Sequence, residues 1–304
     1  MSHEFDLIRY ITELTQDQSS SIELGIGDDC AVWNVDQSKI LLATDMLIEE
    51  VHFDLKNVSY EQVGRKALAV NLSDVAAMGG KPTAALVSLG IPVSASVQSI
   101  QDLMYGLIML SVQYDTVVVG GDTTSHDGPL IINVAITGVV PEHPVVRSGA
   151  KEGDSVFVTG ALGGSLSGHH WSFQPRLKES NYLTSHYDIH SMIDLSDGLA
   201  SDIRHISQAS VIGCILNEDE IPISDRVDKR LSQTERLHHA LSDGEDFELL
   251  FTVSSEVGDQ LKQQDEIEVH EIGVMQGDSD QVLMKNSHGE LVQLPDAGWK
   301  HHFS

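Results

Sequence analysis

The sequence is short of several residue types, and each shortage excludes something. Cys30 and Cys214 are its only cysteines, too few for a disulfide framework, which fits a cytoplasmic setting and leaves a bond between the two open. With 8 prolines and 41% hydrophobic residues it does not read as a disordered chain. No apolar run approaches the ~18 residues that a membrane helix requires. The opening "MSHEFDLIRY" has neither the basic leader nor the apolar stretch of a signal peptide. Basic residues are scarce beside acidic ones: 18 Lys and Arg stand against 46 Asp and Glu, a formal net charge of −28. That balance argues against nucleic acid as a partner, because phosphate backbones need cationic side chains. A small phosphorylated ligand stays open, since carboxylates hold one through bridging Mg²⁺. Acidity alone is explained as well by solubility. Familiar phosphate-binding motifs are missing too: there is no G-x-x-x-x-G-K-[ST] loop, no complete G-x-G-x-x-G and no H-R-D signature.

What is present is an alternation of short apolar runs with longer helical patterns, the mark of an α/β or α+β chain. "KILLATD" (39–45), "TAALVSLGI" (83–91), "DTVVVGGD" (115–122) and "LIINVAITGVV" (130–140) predict strands. Residues 59–80 predict a helix, with Val63, Ala67, Val70, Val75 and Met78 near helical spacing and Gly79-Gly80 to stop it. A second helix is predicted over 97–115. "PEHPVVRSGAKEGD" gathers Pro, Gly and charge, so a domain boundary is expected at 141–154, dividing the chain into 1–140 and 141–304. Beyond it, 155–160 and 246–253 predict strands, and 194–210 a turn feeding a helix. Residues 161–190, rich in Gly, Ser and His, are the least readable.

The carboxylates are placed in a pattern. Asp45 closes one apolar run and Asp122 another; Asp194 and Asp197 follow the apolar pair of "MIDLSDG"; Asp28 and Asp29 share a Gly turn in "LGIGDDCAV". Ligands of α/β proteins gather at strand ends and helix starts. A single such Asp is ordinarily a cap or turn former, and Asp28 keeps that reading; five sites together suggest a ring. Asp74 lies inside an apolar helix, on the face of Asn71. A lone buried carboxylate costs several kcal/mol, so it needs metal or an ion pair with Arg65, Lys66 or Lys81. Two like charges ~4 Å apart repel by ~4 kcal/mol at an effective dielectric of ~20. Carboxylates facing phosphates therefore call for divalent cations, which phosphoryl transfer also uses.

Together "ELGIGDDCAV", "ATDMLIEEVHF", "GRKALAVNLSDVAAMGGKP", "VGGDTT", "RSGAKEGD", "MIDLSDGLASDI", "DGEDFELLF" and "GWKHHF" resemble the thiamine-monophosphate kinase family, within the PurM-like (AIR synthase-like) ATP-binding superfamily. The resemblance implies a two-domain α/β (α+β) fold, whose N-terminal domain forms a β-barrel with a second subunit, and hence a homodimer. It implies direct transfer of the ATP γ-phosphate to thiamine monophosphate with several Mg²⁺ ions. Asp29, Thr44, Asp45, Asp74, Asp122 and Asp194 would hold metal, with Asp197 at a further position; Asp45 and Asp122 would be essential to turnover. Tyr105, Gly121, Asp122, Arg147 and Ser196 would contact ATP, and His52, Glu245 and Trp299 the thiamine substrate. Arg147 suits a phosphate fork, and Trp299 a cationic or aromatic ring.

The chain departs from the family in three places. The 160–190 stretch is short, "DG" stands where Gly-Gly is usual before Glu245, and "GWKHHF" carries an extra residue. All three bear on the acceptor pocket. Rival readings are another superfamily enzyme with the same ATP site, such as aminoimidazole ribonucleotide synthetase or selenophosphate synthetase, and a non-catalytic Mg-nucleotide-binding protein. Cys30, with apolar neighbours, reads as a buried structural thiol. The doublets His169-His170, His238-His239 and His301-His302 lack the spacing of a helical zinc site.

Overall fold

The computed structural model describes Ile8, 11–13, Thr15, 21–36, 38–140, 143–277 and 281–299. The doublet His301-His302 lies outside these residues. Two sheets organise them. The first has the order β1-β2-β3-β6-β4-β5 and is built from Ile22–Leu24 (β1), Ala31–Val35 (β2), Ser38–Ile48 (β3), Lys81–Pro92 (β4), Val117–His126 (β5) and Ile131–Val140 (β6). The second has the order β13-β12-β9-β11-β7-β10-β8. Its strands are Ser155–Thr159 (β7), Ser191–Asp194 (β8), Cys214–Asn217 (β9), Leu249–Val253 (β10), Val269–Met275 (β11), Val282–Lys285 (β12) and Leu291–Gln293 (β13).

Side-chain alternation shows which face of the first sheet is covered. On β6 the buried Ile132, Val134 and Ile136 alternate with half-buried neighbours, and on β4 the buried Ala85, Val87 and Leu89 flank exposed Leu86 and Ser88. The inner face packs on helices Tyr60–Ala77 (α1) and Val97–Gln113 (α2). Helices Leu177–His186 (α3), Leu199–Ser210 (α4), Gln233–Ser242 (α5) and Ser255–Leu261 (α6) accompany the second sheet. α1 begins with a full capping box, Ser59 and Gln62 each satisfying the other's main-chain N–H. It touches β3 and β6 on one side and α3 and β8 on the other, so it lies between the two sheets. A short bond from Ser180 Oγ to the Ala76 carbonyl, 2.6 Å, ties α3 to its last turn.

Several expectations need correction. β3 and β5 run on past Asp45 and Asp122, which are mid-strand: Asp45 is opposite Val134, and Asp122 opposite Ser88. Their charges interrupt the apolar runs, but the ladder hydrogen bonds involve only main chain and continue through them. β10 starts at Leu249, three residues after the predicted start. The unreadable 161–190 stretch folds as two 3₁₀ turns, Ser165–Ser167 and His169–Trp171, followed by α3. Both cysteines are free and buried, Cys30 before β2 and Cys214 in β9. No helix among the described residues is long and apolar enough to cross a membrane.

Candidate active site

α1 is enclosed along almost its whole length, and a helix enclosed on all sides is normally apolar all round. Its polar residues therefore need partners. Lys66, Val70 and Asp74 recur at four-residue spacing and share one face. At about 1.5 Å per residue, Lys66 and Asp74 stand about 12 Å apart along the axis. Val70 and Asp74 line a cleft of about 310 Å³ with Asp45, His52, Asp194, Ser196, Asp197, Glu245 and Trp299.

Around Asp74 the cleft is a carboxylate cluster. Oxygens of Asp29, Asp74 and Asp194 lie within 4.8 Å of one another. Asp29 comes from the turn after β1, Asp194 ends β8, and Asp45 projects from mid-β3 to share a hydrogen bond with Asp74. Burial raises the pKa of Asp74 well above the ordinary carboxylate range, and the charges of Asp45, Asp194 and Asp29 raise it further. Burial likewise raises Asp45 and Asp29, and pushes Asp194 up to about 8 with help from Asp29. Ser73 Oγ donates to Asp194 Oδ2 at 2.6 Å, joining α1 to the second sheet. Two of the three basic residues that could have paired with Asp74 are engaged elsewhere, Arg65 donating to the carbonyls of Trp171 and Phe173 and Lys66 to Glu245, and the third, Lys81, is exposed at the start of β4.

Two observations fit this cluster to a hard divalent cation. Its donors are all oxygen, crowded closely enough that protons take the place of missing positive charge. One turn back, the buried Asn71 Oδ1 has no protein partner. Among the described residues, Arg147 supplies the cation in contact: its Nη2 is 2.8 Å from Asp29 Oδ1, and its main-chain N–H donates to Asp28 Oδ2 at 2.9 Å. Burial opposes the guanidinium charge, yet Asp29 raises its pKa above the usual value. Asp28 also accepts from the Asp29 N–H at 3.0 Å, so the expected turn former additionally fastens the segment between the sheets.

Asp197 follows β8, and its turn is held by Asp202, which accepts from the N–H groups of Asp197 and Gly198 at 3.2 and 3.0 Å. At the Lys66 end, Glu245 receives Lys66 Nζ at 2.5 Å and His170 Nδ1 at 2.6 Å. Burial works against the charge of Glu245, but His170 and Lys66 outweigh it and hold the carboxyl below its ordinary range. His52 Nδ1 accepts from the Ile48 N–H at 3.0 Å, which orients its ring.

The structure thus brings together Asp45, His52, Asp74, Asp194, Ser196, Asp197, Glu245 and Trp299 around one cleft, with Asp29 and Arg147 at its carboxylate end. Thr44, Tyr105, Gly121 and Asp122 do not line it. The alternation that points Asp45 into the cleft points Thr44 to the exposed outer face of the first sheet, where Thr44 bonds the Val134 carbonyl at 3.1 Å. Asp122 is exposed beside Ser88 on that same face, and Tyr105 is exposed on α2. Gly121 has no room for a side chain: a Cβ there would sit 1.7 Å from the Val87 carbonyl oxygen. The sequence does not show the roles of Lys66, His170 and Asp202: Lys66, a candidate partner for Asp74, pairs with Glu245 instead, as does His170 of the His169-His170 doublet. Lys66 carried a readable signal, a charge inside an apolar helix; His170 carried none.

Residues 27–140 match the family described as AIR synthase related protein, N-terminal domain. The chain is 38% identical to a thiamine-monophosphate kinase of Rhodopirellula baltica over 83% of each chain. It is 34% identical to a thiamine-monophosphate kinase of Bacillus subtilis, covering 98% of this chain and 99% of the relative. A solved structure described as AaThiL complexed with AMPPCP and TMP aligns with a TM-score of 0.84 at 31% identity, over 98% of this chain and 97% of that one.

Proposed function

Because the chain belongs to the thiamine-monophosphate kinase family, we propose that it transfers the γ-phosphate of ATP to thiamine monophosphate, forming thiamine diphosphate and ADP. The observation that carries this reading is a single cleft with a carboxylate cluster at one end of α1 and a hydrogen-bonded, partly aromatic pocket at the other. An oxygen of the acceptor's phosphate attacks the γ-phosphorus, and the bond to the β–γ bridging oxygen breaks.

Asp29, Asp45, Asp74 and Asp194 would hold Mg²⁺, with Asp197 at a further position, and bound Mg²⁺ would neutralise charge on the phosphates in transfer. Arg147 leaves Asp29 to donate its planar N–H groups to the nucleotide, and Ser196 lines the same end. His52, Glu245 and Trp299 bind the thiamine portion, where the Trp299 ring suits a cationic thiazolium or stacks on the pyrimidine.

Residues 1–140 and 141–304 form two domains, and the chain works as a homodimer. Support for the dimer is the uncovered outer face of the first sheet, where Trp33, Met46, Leu86, Val117 and Val119 are 42%, 50%, 49%, 61% and 61% exposed. Apolar patches of that kind mark interaction surfaces. Thr44 and Asp122 share the face, so pairing it would place both, with the neighbouring Gly121, at a joint between copies.

The test is an assay for thiamine diphosphate with ATP and Mg²⁺, using thiamine and hydroxymethylpyrimidine phosphate as alternative acceptors. Product from thiamine monophosphate alone is expected. Nucleotide binding without phosphate transfer to any of the three would favour the non-catalytic reading instead.

A further inference from the structure

Phosphoryl transfer makes no use of the groups that surround Glu245. Lys66, fully buried on α1, puts its ammonium 2.5 Å from Glu245 Oε1 and 4.7 Å from the centre of the Trp171 ring. His170 Nδ1 lies 2.6 Å from Glu245 Oε2. An ionised carboxylate only accepts, so His170 is the donor and its proton sits on Nδ1. That nitrogen then cannot accept from Lys66, and the 3.3 Å between them is a contact rather than a hydrogen bond. Each carboxylate oxygen is thus fixed by a different element, one from α1 and one from the second 3₁₀ turn.

The main chain is fixed as well. Glu245 has a φ of 52° after Gly244 at 68°, and its N–H donates to the Ser196 carbonyl at 2.7 Å. The 3₁₀ segment is tied to this loop: Gly163 N donates to Asp246, and Gly164 N to Asp243 Oδ2 at 2.8 Å. The stretch that departs most from the family is therefore the part that delivers His170.

We propose that Lys66 and His170 are positioning residues for Glu245, and that Glu245 meets the acceptor as a charge-balanced, fixed hydrogen-bond acceptor rather than as a counter-ion to its cationic ring. The assignment rests on the reading of Glu245 as an acceptor contact. With Lys66 protonated, its charge cancels that of Glu245, so the pair offers a cation little attraction. A carboxylate has about four lone-pair sites; two are taken here, and the remainder suit N–H donors such as the amino group of an aminopyrimidine. Titratable groups near Glu245 include Lys66 and His170 in contact with it, His52 from the loop after β3 and Asp243 on the same cleft, and the buried Asp246 next to it in the chain.

The test combines kinetics with a spectroscopic readout in the full-length enzyme. His170→Ala should raise the KM for thiamine monophosphate about tenfold, as loss of a hydrogen bond to a charged group predicts, with the ATP KM within about twofold. His170→Asn, whose amide can place a donor near Nδ1, should recover most of the loss. Glu245→Gln should weaken thiamine monophosphate and an uncharged-ring analogue of it by the same factor. In ¹³C spectra of carboxyl-labelled glutamate, with Glu245 identified by its absence in Glu245→Gln, the signal should be ionised at pH 6 in the wild type and shifted towards the protonated form in Lys66→Met.

An unchanged acceptor KM in His170→Ala, or no recovery in His170→Asn, would overturn the role of His170. Loss confined to the charged acceptor in Glu245→Gln would overturn the hydrogen-bond role. If Lys66→Met does not fold, the same spectra of His170→Ala decide the matter. If the wild type does not phosphorylate thiamine monophosphate, the proposed function fails, while the Glu245 signal still reports whether Lys66 and His170 hold that carboxylate.

Discussion

Arg147 Nη2 and Asp29 Oδ1 lie 2.8 Å apart, so the segment between the two sheets is pinned to the Gly turn after β1 by its own cleft arginine. The guanidinium neutralises Asp29, and its Nε also lies 3.9 Å from Asp28 Oδ1. Breaking a buried pair from one side leaves a lone charge, which costs more than the pair is worth. Arg147→Met should therefore lower the melting temperature of the metal-free protein, and Asp29→Asn in the same chain should restore most of it. In turnover, Arg147→Met should raise the ATP KM by about tenfold or more, as loss of charge-assisted hydrogen bonds predicts, and leave the acceptor KM within about twofold. Steady-state kinetics with each substrate varied, beside thermal melts in chelator, measure both. Equal rises in the two KM values would sink the assignment of Arg147 to the nucleotide.

The pair Asp45 and Asp74 makes function and stability pull in opposite directions. Their shared hydrogen bond and raised pKa values show carboxylates held together against repulsion. Asp45→Asn and Asp74→Asn should each lower kcat by about a thousandfold, in line with loss of preorganised charge stabilisation. The same variants should melt higher than the wild type in chelator, because one of two crowded acids, and the cost of burying it charged or protonated beside the other, has gone. A near-normal rate in Asp45→Asn would end its metal assignment.

Stability should also depend on pH in a particular direction. Asp28 and Asp194 have folded-state values of about 6 and about 8, above the ordinary 3.8. Between the unfolded and folded values the native state binds more protons than the unfolded one, so stability falls as pH rises through that window. In chelator, the melting temperature should therefore drop steadily from pH 5 to pH 8.5. Saturating Mg²⁺ competes with those protons, so its stabilisation should be larger at pH 8 than at pH 5.5. Differential scanning fluorimetry across that range checks both slopes. A metal-free protein that grows more stable with rising pH would contradict the electrostatics of the cluster.

Much of the site could be read from sequence because carboxylates in apolar surroundings are conspicuous. Asp29 on a Gly turn, Asp74 inside an apolar helix and Asp194 at the end of a short apolar run each broke a local rule. The Lys66–Glu245–His170 set could not be read, since its members are 179 and 104 residues apart along the chain and meet only through the packing of both sheets. The long strands β3, β4 and β6 announced themselves by apolar content. Short ones such as β9, β12 and β13, of 4, 4 and 3 residues, have no period to recognise and are held by neighbours. The placement of Asp45 and Asp122 at strand ends failed for another reason. A charged side chain marks where an apolar face stops, while the main-chain ladder is indifferent to it.

Asp122 gives the sharpest test of assembly. In a single chain it stands on the exposed outer face of the first sheet, level with Ser88 and apart from the cleft. If that face pairs with a second copy, a charge within its apolar patch should separate the copies. Val117, 61% exposed, is suited to this because its side chain meets solvent and its replacement leaves the inner core intact. Burying an unpaired carboxylate in an apolar interface costs several kcal/mol, so Val117→Asp should shift the protein from twice the chain mass to the chain mass in light scattering. Melting of the monomer should change little, while turnover should fall towards that of Asp122→Asn, for which near-complete loss is expected. A Val117→Asp monomer with wild-type turnover would show that the cleft works within one chain, and that Asp122 has no part in it.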